Sequence, residues 1–449
     1  MSLNKIKNKD AKIIAKIQEL TDEDSTIWTA PKYDRSENVH RFFQYPAMMV
    51  PIVQQKLIET FVSVDNTIET LLDPFMGSST AIVAGMMNGL SCYGQDINPL
   101  SILLSKVKTH YFNIEIVTNL SIKLVDSIKQ DSSNLIEKHF NGIAKWFEPN
   151  VCIELSKIVR GIRKCDNLEI RRFFWITLAE VVRLSSNDRT STFKLHIRTK
   201  EDIQQRNVSP IEIFERLYLR NLEDVKIHNK TLSAKNLIGK NGYRKKTTIS
   251  FRNSTEEIKV PQGGVSLLVS SPPYGDNSTT VPYGQHAYLP LRWIDLKDID
   301  DKITEDLLST ISAVDKKSLG GQLTLPSKDI TDALFLASPS LKNVVSSLSI
   351  FHPDKINKIV CFTHDLDKVL FKCKDAVKKD GYFIWTIGNR RVGGMEIPNN
   401  KILIELLEAK GIKLIYELKR DIINKRMAQR NRSSITMSTE DILIFRKTI

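Results

Sequence analysis

Apolar residues recur along the chain at two different periods, and the places where the period switches mark out its elements. Residues 1–40 are polar, with a helical stretch near Ile6–Leu20 and a turn at Ala30-Pro31. From Tyr45 to Val62 the apolar positions return at the spacing of one helix face, with Pro46 and Pro51 near the start. Thr67–Leu72 reads as a short strand, Ala81–Asn88 as a small, apolar helix, and Ser91–Gln95 as a second strand ending at Asp96. A strand, a glycine-bearing turn, a helix and a strand ending in an acid make the first half of a nucleotide-binding α/β sheet. Residues 110–245 are mainly helical in pattern, as in Ile114–Ile128 and Arg171–Leu184, and interrupt that sheet. Trp146, Phe173, Phe174 and Trp175 fall there at helical spacing and are expected in the core. Strand patterning resumes at Thr247–Phe251 and Val265–Ser270. Residues 295–350, with Gly320-Gly321 and several serines, read as an irregular segment. The pattern closes with helix Asp367–Lys379, strand Tyr382–Ile387, helix Lys401–Lys410, and strands Lys413–Leu418 and Asp441–Arg446. Two strands in succession at the end of an alternating pattern predict an antiparallel hairpin on a mainly parallel sheet. No internal repeat or low-complexity tract breaks this order.

The chain is therefore expected to be α/β, in three parts. Residues 1–110 carry an N-terminal segment and the first half of the sheet. Residues 111–246 form a helical insertion. Residues 247–449 carry the second half, with the irregular insertion at about 295–350.

Composition narrows the classes. Of 449 residues 41% are apolar, enough for a core, which excludes wholesale disorder. No run approaches the roughly 18 consecutive apolar residues of a membrane span. The N-terminus MSLNKIKNKDAK has no apolar segment of a secretion signal. The five cysteines are widely spaced, with no CxxC pair, which argues against a disulfide framework and a zinc site. Cys152 and Cys165 read as buried thiols, no metal is expected, and the chain is assigned to the reducing cytoplasm. The net charge of +13 points to a polyanionic partner. It is concentrated: residues 111–250 hold 25 Lys/Arg against 16 Asp/Glu, and residues 411–449 hold 9 against 4.

Three stretches carry candidate chemistry. In Asp73-Pro74-Phe75-Met76-Gly77, just after the first strand, Gly77 lets the backbone turn sharply and a ligand approach without a Cβ in the way. Asp73 can accept hydrogen bonds from an ammonium. Asp96, at the end of the second strand, can bind the two hydroxyls of a ribose. Ser271-Pro272-Pro273-Tyr274 follows the strand Val265–Ser270, and two prolines there make a rigid corner. The Pro272 carbonyl and Ser271 hydroxyl can accept hydrogen bonds from an amine, and Tyr274 offers a face to a planar base.

With these residues the chain resembles an S-adenosylmethionine-dependent DNA amino-methyltransferase of a bacterial or archaeal restriction–modification system. Asp73–Thr80 resembles the cofactor motif DPFxGxGT, Asp96-Ile97-Asn98-Pro99 the acidic motif that follows it, and Ser271–Tyr274 the catalytic (S/D/N)PPY tetrapeptide. Phe42–Ala47 resembles the HPYPA-like segment that packs on the methionine part of the cofactor. Ile387–Arg391 and Asn424–Met427 are similar to stretches of one branch of these enzymes. The resemblance implies a class I methyltransferase-like seven-stranded sheet that binds S-adenosyl-L-methionine through Phe43, Tyr45, Pro46, Asp73, Phe75, Gly77, Ser79 and Asp96. It departs from the family pattern at Ser79, which replaces the second glycine. The acid after the third strand, which contacts the adenine amine, is also missing, and Asn253 and Ser254 stand in its region.

The resemblance further implies a target base turned out of double-stranded DNA, stacked on Tyr274, and methylated directly at its exocyclic amine. No cysteine follows a proline, which sets aside methylation at ring carbon 5. Serine at the first catalytic position favours cytosine N4 over adenine N6. An RNA guanine amino-methyltransferase and a non-catalytic DNA-binding protein with a degenerate core are the remaining alternatives. DNA contacts are expected from Arg183, Arg189, Lys194 and Arg198 in a Ser/Thr-rich stretch suited to phosphates. Arg390, Arg391, Lys425 and Arg426 near the C-terminus join them. A separately encoded cognate restriction endonuclease is the implied companion, and DNA binding would hold the protein at the nucleoid.

Overall fold

The computed structural model of the protein describes residues 3–34, 39–422 and 437–448. Its main sheet has seven strands: β1 (Thr70–Asp73), β2 (Ser91–Asp96), β3 (Thr247–Phe251), β4 (Val265–Ser270), β5 (Val377–Ile387), β6 (Ile412–Asp421) and β7 (Thr439–Lys447). They lie in the order β6-β7-β5-β4-β1-β2-β3. β1 runs parallel to β2 and β4, β2 to β3, and β4 to β5. β7 lies antiparallel between β5 and β6. The expected C-terminal hairpin and the class I methyltransferase-like α/β sheet are both present.

Side-chain alternation explains the layers. Leu71 faces one core with Leu267, Ile442 and Ile444, whereas Leu72 faces another with Leu268, Leu443 and Phe445. All six residues of β4 are buried, as a central strand covered on both faces requires. The helical insertion shares the first core: Leu168–Ser185 buries Phe173, Phe174 and Trp175, and the Phe173 ring meets those of Phe42 and Phe112. Trp146 is buried too, as are all five cysteines, as free thiols. Among the described residues no single helix is long and apolar enough to cross a membrane.

Two expectations need correction. The segment 295–350 is not irregular throughout, because helices Lys328–Ala337 and Pro339–Phe351 occupy its second half. Two of its serines are caps: Ser327 accepts from the Ile330 amide and Ser338 from the Leu341 amide, with Pro339 in the first turn. The helix expected over 367–379 is Ile356–Ala376, and β5 begins already at Val377, which pairs with Val265. A register shift between Val265 and Leu267 absorbs the extra residues of β5, among them Asp380 at φ 63°.

The strand order reverses between β1 and β4. Ligands of open α/β sheets bind beyond the carboxyl ends of the strands at such a switch point. Asp73 and Ser271 sit there.

Candidate active site

β1 ends on Asp73, whose side chain is fully buried. Its Oδ1 accepts from the Ser270 hydroxyl at 2.6 Å and from the Phe75 amide at 3.1 Å, which ties the end of β1 to the end of β4. Its Oδ2 has no hydrogen-bond partner among the described residues. Burial pushes this carboxyl up to about 7. A buried carboxylate without a cation is costly, and a neighbouring ammonium removes that cost.

Asp96 braces the glycine turn. Its Oδ2 accepts from the Gly77 amide at 2.9 Å and its Oδ1 from the Asn98 amide at 2.8 Å. Burial raises its pKa against these bonds. Gly77 has φ 44°, and a Cβ there would stand 3.3 Å from Cε1 of Tyr45. Ser79 adopts φ 62° as well, a region that disfavours any side chain, which accounts for the family's glycine at that place. Its hydroxyl is turned to Ser105.

The turn is carried by one face of the helix Pro99–Thr109. Ser101 donates to the Gly77 carbonyl at 2.6 Å, Ser105 meets Ser79, and Lys108 donates to the Ser78 carbonyl at 2.8 Å. Lys108 is fully buried, and burial pushes its ammonium down to about 7. Sequence reasoning did not find this set. Polar residues four and seven positions after Ser101, on one face of the helix, were the available signal.

Tyr45 lies beside the turn, stacked on Tyr283 at 5.8 Å, and its hydroxyl accepts from Asn98 at 3.3 Å. Pro46 is buried next to it. Phe43 turns into the core against His286 instead. Phe75 packs on Trp385. Ser254 is buried and donates to the Pro74 carbonyl at 2.6 Å while accepting from Gln95 at 2.9 Å, so it supports the corner after β1. The Asn253 carboxamide oxygen accepts from the amide and hydroxyl of Thr255.

Beyond β4, Pro272 is buried and Ser271, Pro273 and Tyr274 are half-buried. The Ser271 and Tyr274 hydroxyls lie 3.4 Å apart. Tyr274 donates to Oε1 of Glu440 at 2.9 Å, and Oε2 of Glu440 lies 3.3 Å from Nη1 of Arg420. Burial, with this carboxylate beside it, pushes the Tyr274 phenol well above its ordinary value. Asn399 donates to the Tyr274 and Gly388 carbonyls, both at 2.9 Å, and clamps the corner to the end of β5. Glu440 and Asn399 lie more than a hundred residues from the tetrapeptide, and no local pattern announces either.

The basic residues divide sharply. Arg189 and Lys194 are exposed on a loop closed by the Asp188–Ile197 bridge. That loop docks through the Phe193 ring on His286 and through the Leu195 amide on Gln285, next to the segment that carries Tyr45. Arg198 is half-buried, and Arg391 is exposed on the ribbon Arg390–Val392 with Met395–Ile397. Arg183 is buried against Glu180 at 2.6 and 2.9 Å. Arg390 lies 3.6 Å from buried Asp276 and donates to Thr279. Both serve internal ion pairs. Lys425 and Arg426 lie outside the described residues.

No known family profile matches the chain. The type II methyltransferase M.MvaI of Kocuria varians is 32% identical to it, across 99% of this chain and 99% of its own length. The type II methyltransferase M.MjaII of Methanocaldococcus jannaschii is 30% identical over 108 residues, 24% of this chain and 20% of its own. A full-length match to such an enzyme, on a sheet of this order, makes the chain a member of the type II DNA methyltransferases of restriction–modification systems.

Proposed function

We propose that the chain methylates the exocyclic amine of cytosine, at N4, in double-stranded DNA, with S-adenosyl-L-methionine as donor, and so protects host DNA. The observation that carries this reading is the meeting of Asp73, Gly77, Asp96 and Ser271–Tyr274 at the carboxyl ends of β1, β2 and β4.

The residues present fit the cofactor. The unpartnered Asp73 oxygen can take an ammonium, and Gly77 leaves room that a Cβ would close. Each Asp96 oxygen accepts one backbone bond and keeps capacity for a second, from a ribose hydroxyl. When bound, the cofactor supplies an electrophilic methyl group on sulfur. The protein's part is then to hold the amine in line with it. Turning the base out of the stack costs a few kcal/mol, and stacking on Tyr274 returns about 1–3 kcal/mol. The Ser271 hydroxyl and the Pro272 carbonyl accept the two amine hydrogens, which leaves the nitrogen lone pair directed at the methyl. No residue forms a covalent intermediate, so catalysis consists of positioning and electrostatics.

Serine at the head of the tetrapeptide is the reason for cytosine over adenine. Sequencing genomic DNA from cells expressing the protein, by a method that separates N4-methylcytosine from N6-methyladenine, tests the reading. Methylcytosine at one short sequence is expected. Methyladenine there would transfer the assignment to adenine N6, and unmodified DNA would sink both.

A further inference from the structure

Four groups form a chain at the tetrapeptide: Ser271 Oγ, Tyr274 Oη, Glu440 and Arg420. Its end members fix its direction. Arg420 stands at Oε2 of Glu440 as its ion-pair partner, and a carboxylate only accepts, so Oε1 must take the phenol proton of Tyr274. A phenol has one proton. With that proton given to Glu440 at 2.9 Å, the Tyr274 oxygen can face Ser271 only as an acceptor. The Ser271 proton is thereby drawn toward Tyr274 at 3.4 Å, and its lone pairs are left for an incoming amine hydrogen.

We infer that Glu440, held by Arg420, is a positioning residue that sets the hydrogen-bond direction of Ser271 and the tilt of the Tyr274 ring. The inference rests on the reading that Ser271 receives the target amine. β6 and β7 hold the pair together, because Arg420 and Glu440 are directly opposite in their antiparallel register. Asn399 fixes the backbone of the same corner, so the ring and the hydroxyl are what Glu440 adds.

Glu440→Gln separates direction from packing, since the shapes match. Its single carboxamide oxygen is claimed by Arg420, and its NH2 then donates to Tyr274 and reverses the chain. In the full-length protein, E440Q is expected to lower kcat about ten- to hundredfold, with cofactor Kd, DNA KM and Tm within about twofold or a few degrees of wild type. The double variant R420M/E440Q frees the carboxamide oxygen for Tyr274 and is expected to regain most of that loss. An E440Q enzyme with wild-type kcat, or a double variant as slow as E440Q, overturns the inference. Ser271→Ala, measured alongside, separates the two levels. If S271A is inactive while E440Q is fully active, only the role of Glu440 falls. If S271A turns over normally, the amine site falls with it.

Discussion

Asp73 is a carboxyl that the fold prefers protonated and that a cofactor ammonium would prefer charged. Its folded pKa of about 7 lies above its ordinary value of 3.8, and burial is the main cause. A raised carboxyl contributes stability that is complete below about pH 4 and is lost as pH climbs to about 7. Asp73→Asn removes that loss. Without cofactor, the variant should therefore gain Tm over wild type, and gain more at pH 8 than at pH 5. With cofactor that advantage shrinks, because a charge-assisted hydrogen bond contributes about 1.5–3 kcal/mol that the amide cannot supply. Calorimetric titration between pH 6 and 7.5 should show wild-type affinity strengthening with pH and the variant weaker and flatter. Equal affinity in the two proteins at pH 7.5 removes Asp73 from the cofactor site. Ser79 is a residue whose conformation conflicts with its side chain, at φ 62°, and its hydroxyl meets Ser105 on the helix that carries the turn.

The element that makes this turn hold is the helix Pro99–Thr109, and Lys108 is its unusual member. A lysine depressed from 10.5 to about 7 by burial weakens the fold progressively as pH falls from about 10 to 7, where the chain must carry the charge inside. His40 and His228, whose pKa values burial also lowers, that of His228 to about 4, share this pocket and act only below about pH 6.5. Between pH 7 and 10 the buried thiols, raised from 9.0, and Lys106 also contribute, so the share of Lys108 is read as the difference between variant and wild type. Lys108→Met deletes both the buried charge and the bond to the Ser78 carbonyl, which alone contributes about 1 kcal/mol. The stability advantage of the variant should be largest at pH 7 and shrink steadily toward pH 9.5, read from urea melts at each pH. A difference that does not change with pH contradicts this assignment. Elements of this kind were legible in outline from sequence: strands such as Thr247–Phe251 and Val265–Ser270 fall where uninterrupted or alternating burial places them. What the pattern concealed are tasks assigned to polar residues. Ser327 and Ser338 fell in a segment read as irregular and are caps, and Lys108, which no pattern singled out, lies beneath the Gly77 turn.

Across the whole molecule the same limit governs the charges. The motif residues were legible through their combination at the ends of three strands, since Asp, Gly or Pro alone is an ordinary turn residue. A basic residue gives no such signal, since its sequence does not show whether a carboxylate far along the chain awaits it. Arg390 and Arg420 face such carboxylates at Asp276 and Glu440, and Arg183 pairs with Glu180 only three residues back, whereas Arg189 and Lys194 stand exposed on a loop held beside the site by Phe193. That division turns a diffuse positive charge into a specific DNA test. Removing one cation from a phosphate should lower the slope of log K against log salt by about 0.9. Replacing Arg189 and Lys194 together by glutamine should therefore reduce the slope by up to about 2 and weaken binding to cognate and unrelated DNA alike. Arg183→Gln is the control. It leaves Glu180 buried without its partner and should lower Tm while the salt slope stays at the wild-type value. If instead the slope falls in the Arg183 variant and holds in the double variant, the DNA lies along a different face, and the loop from Asn187 to Arg198 serves packing alone.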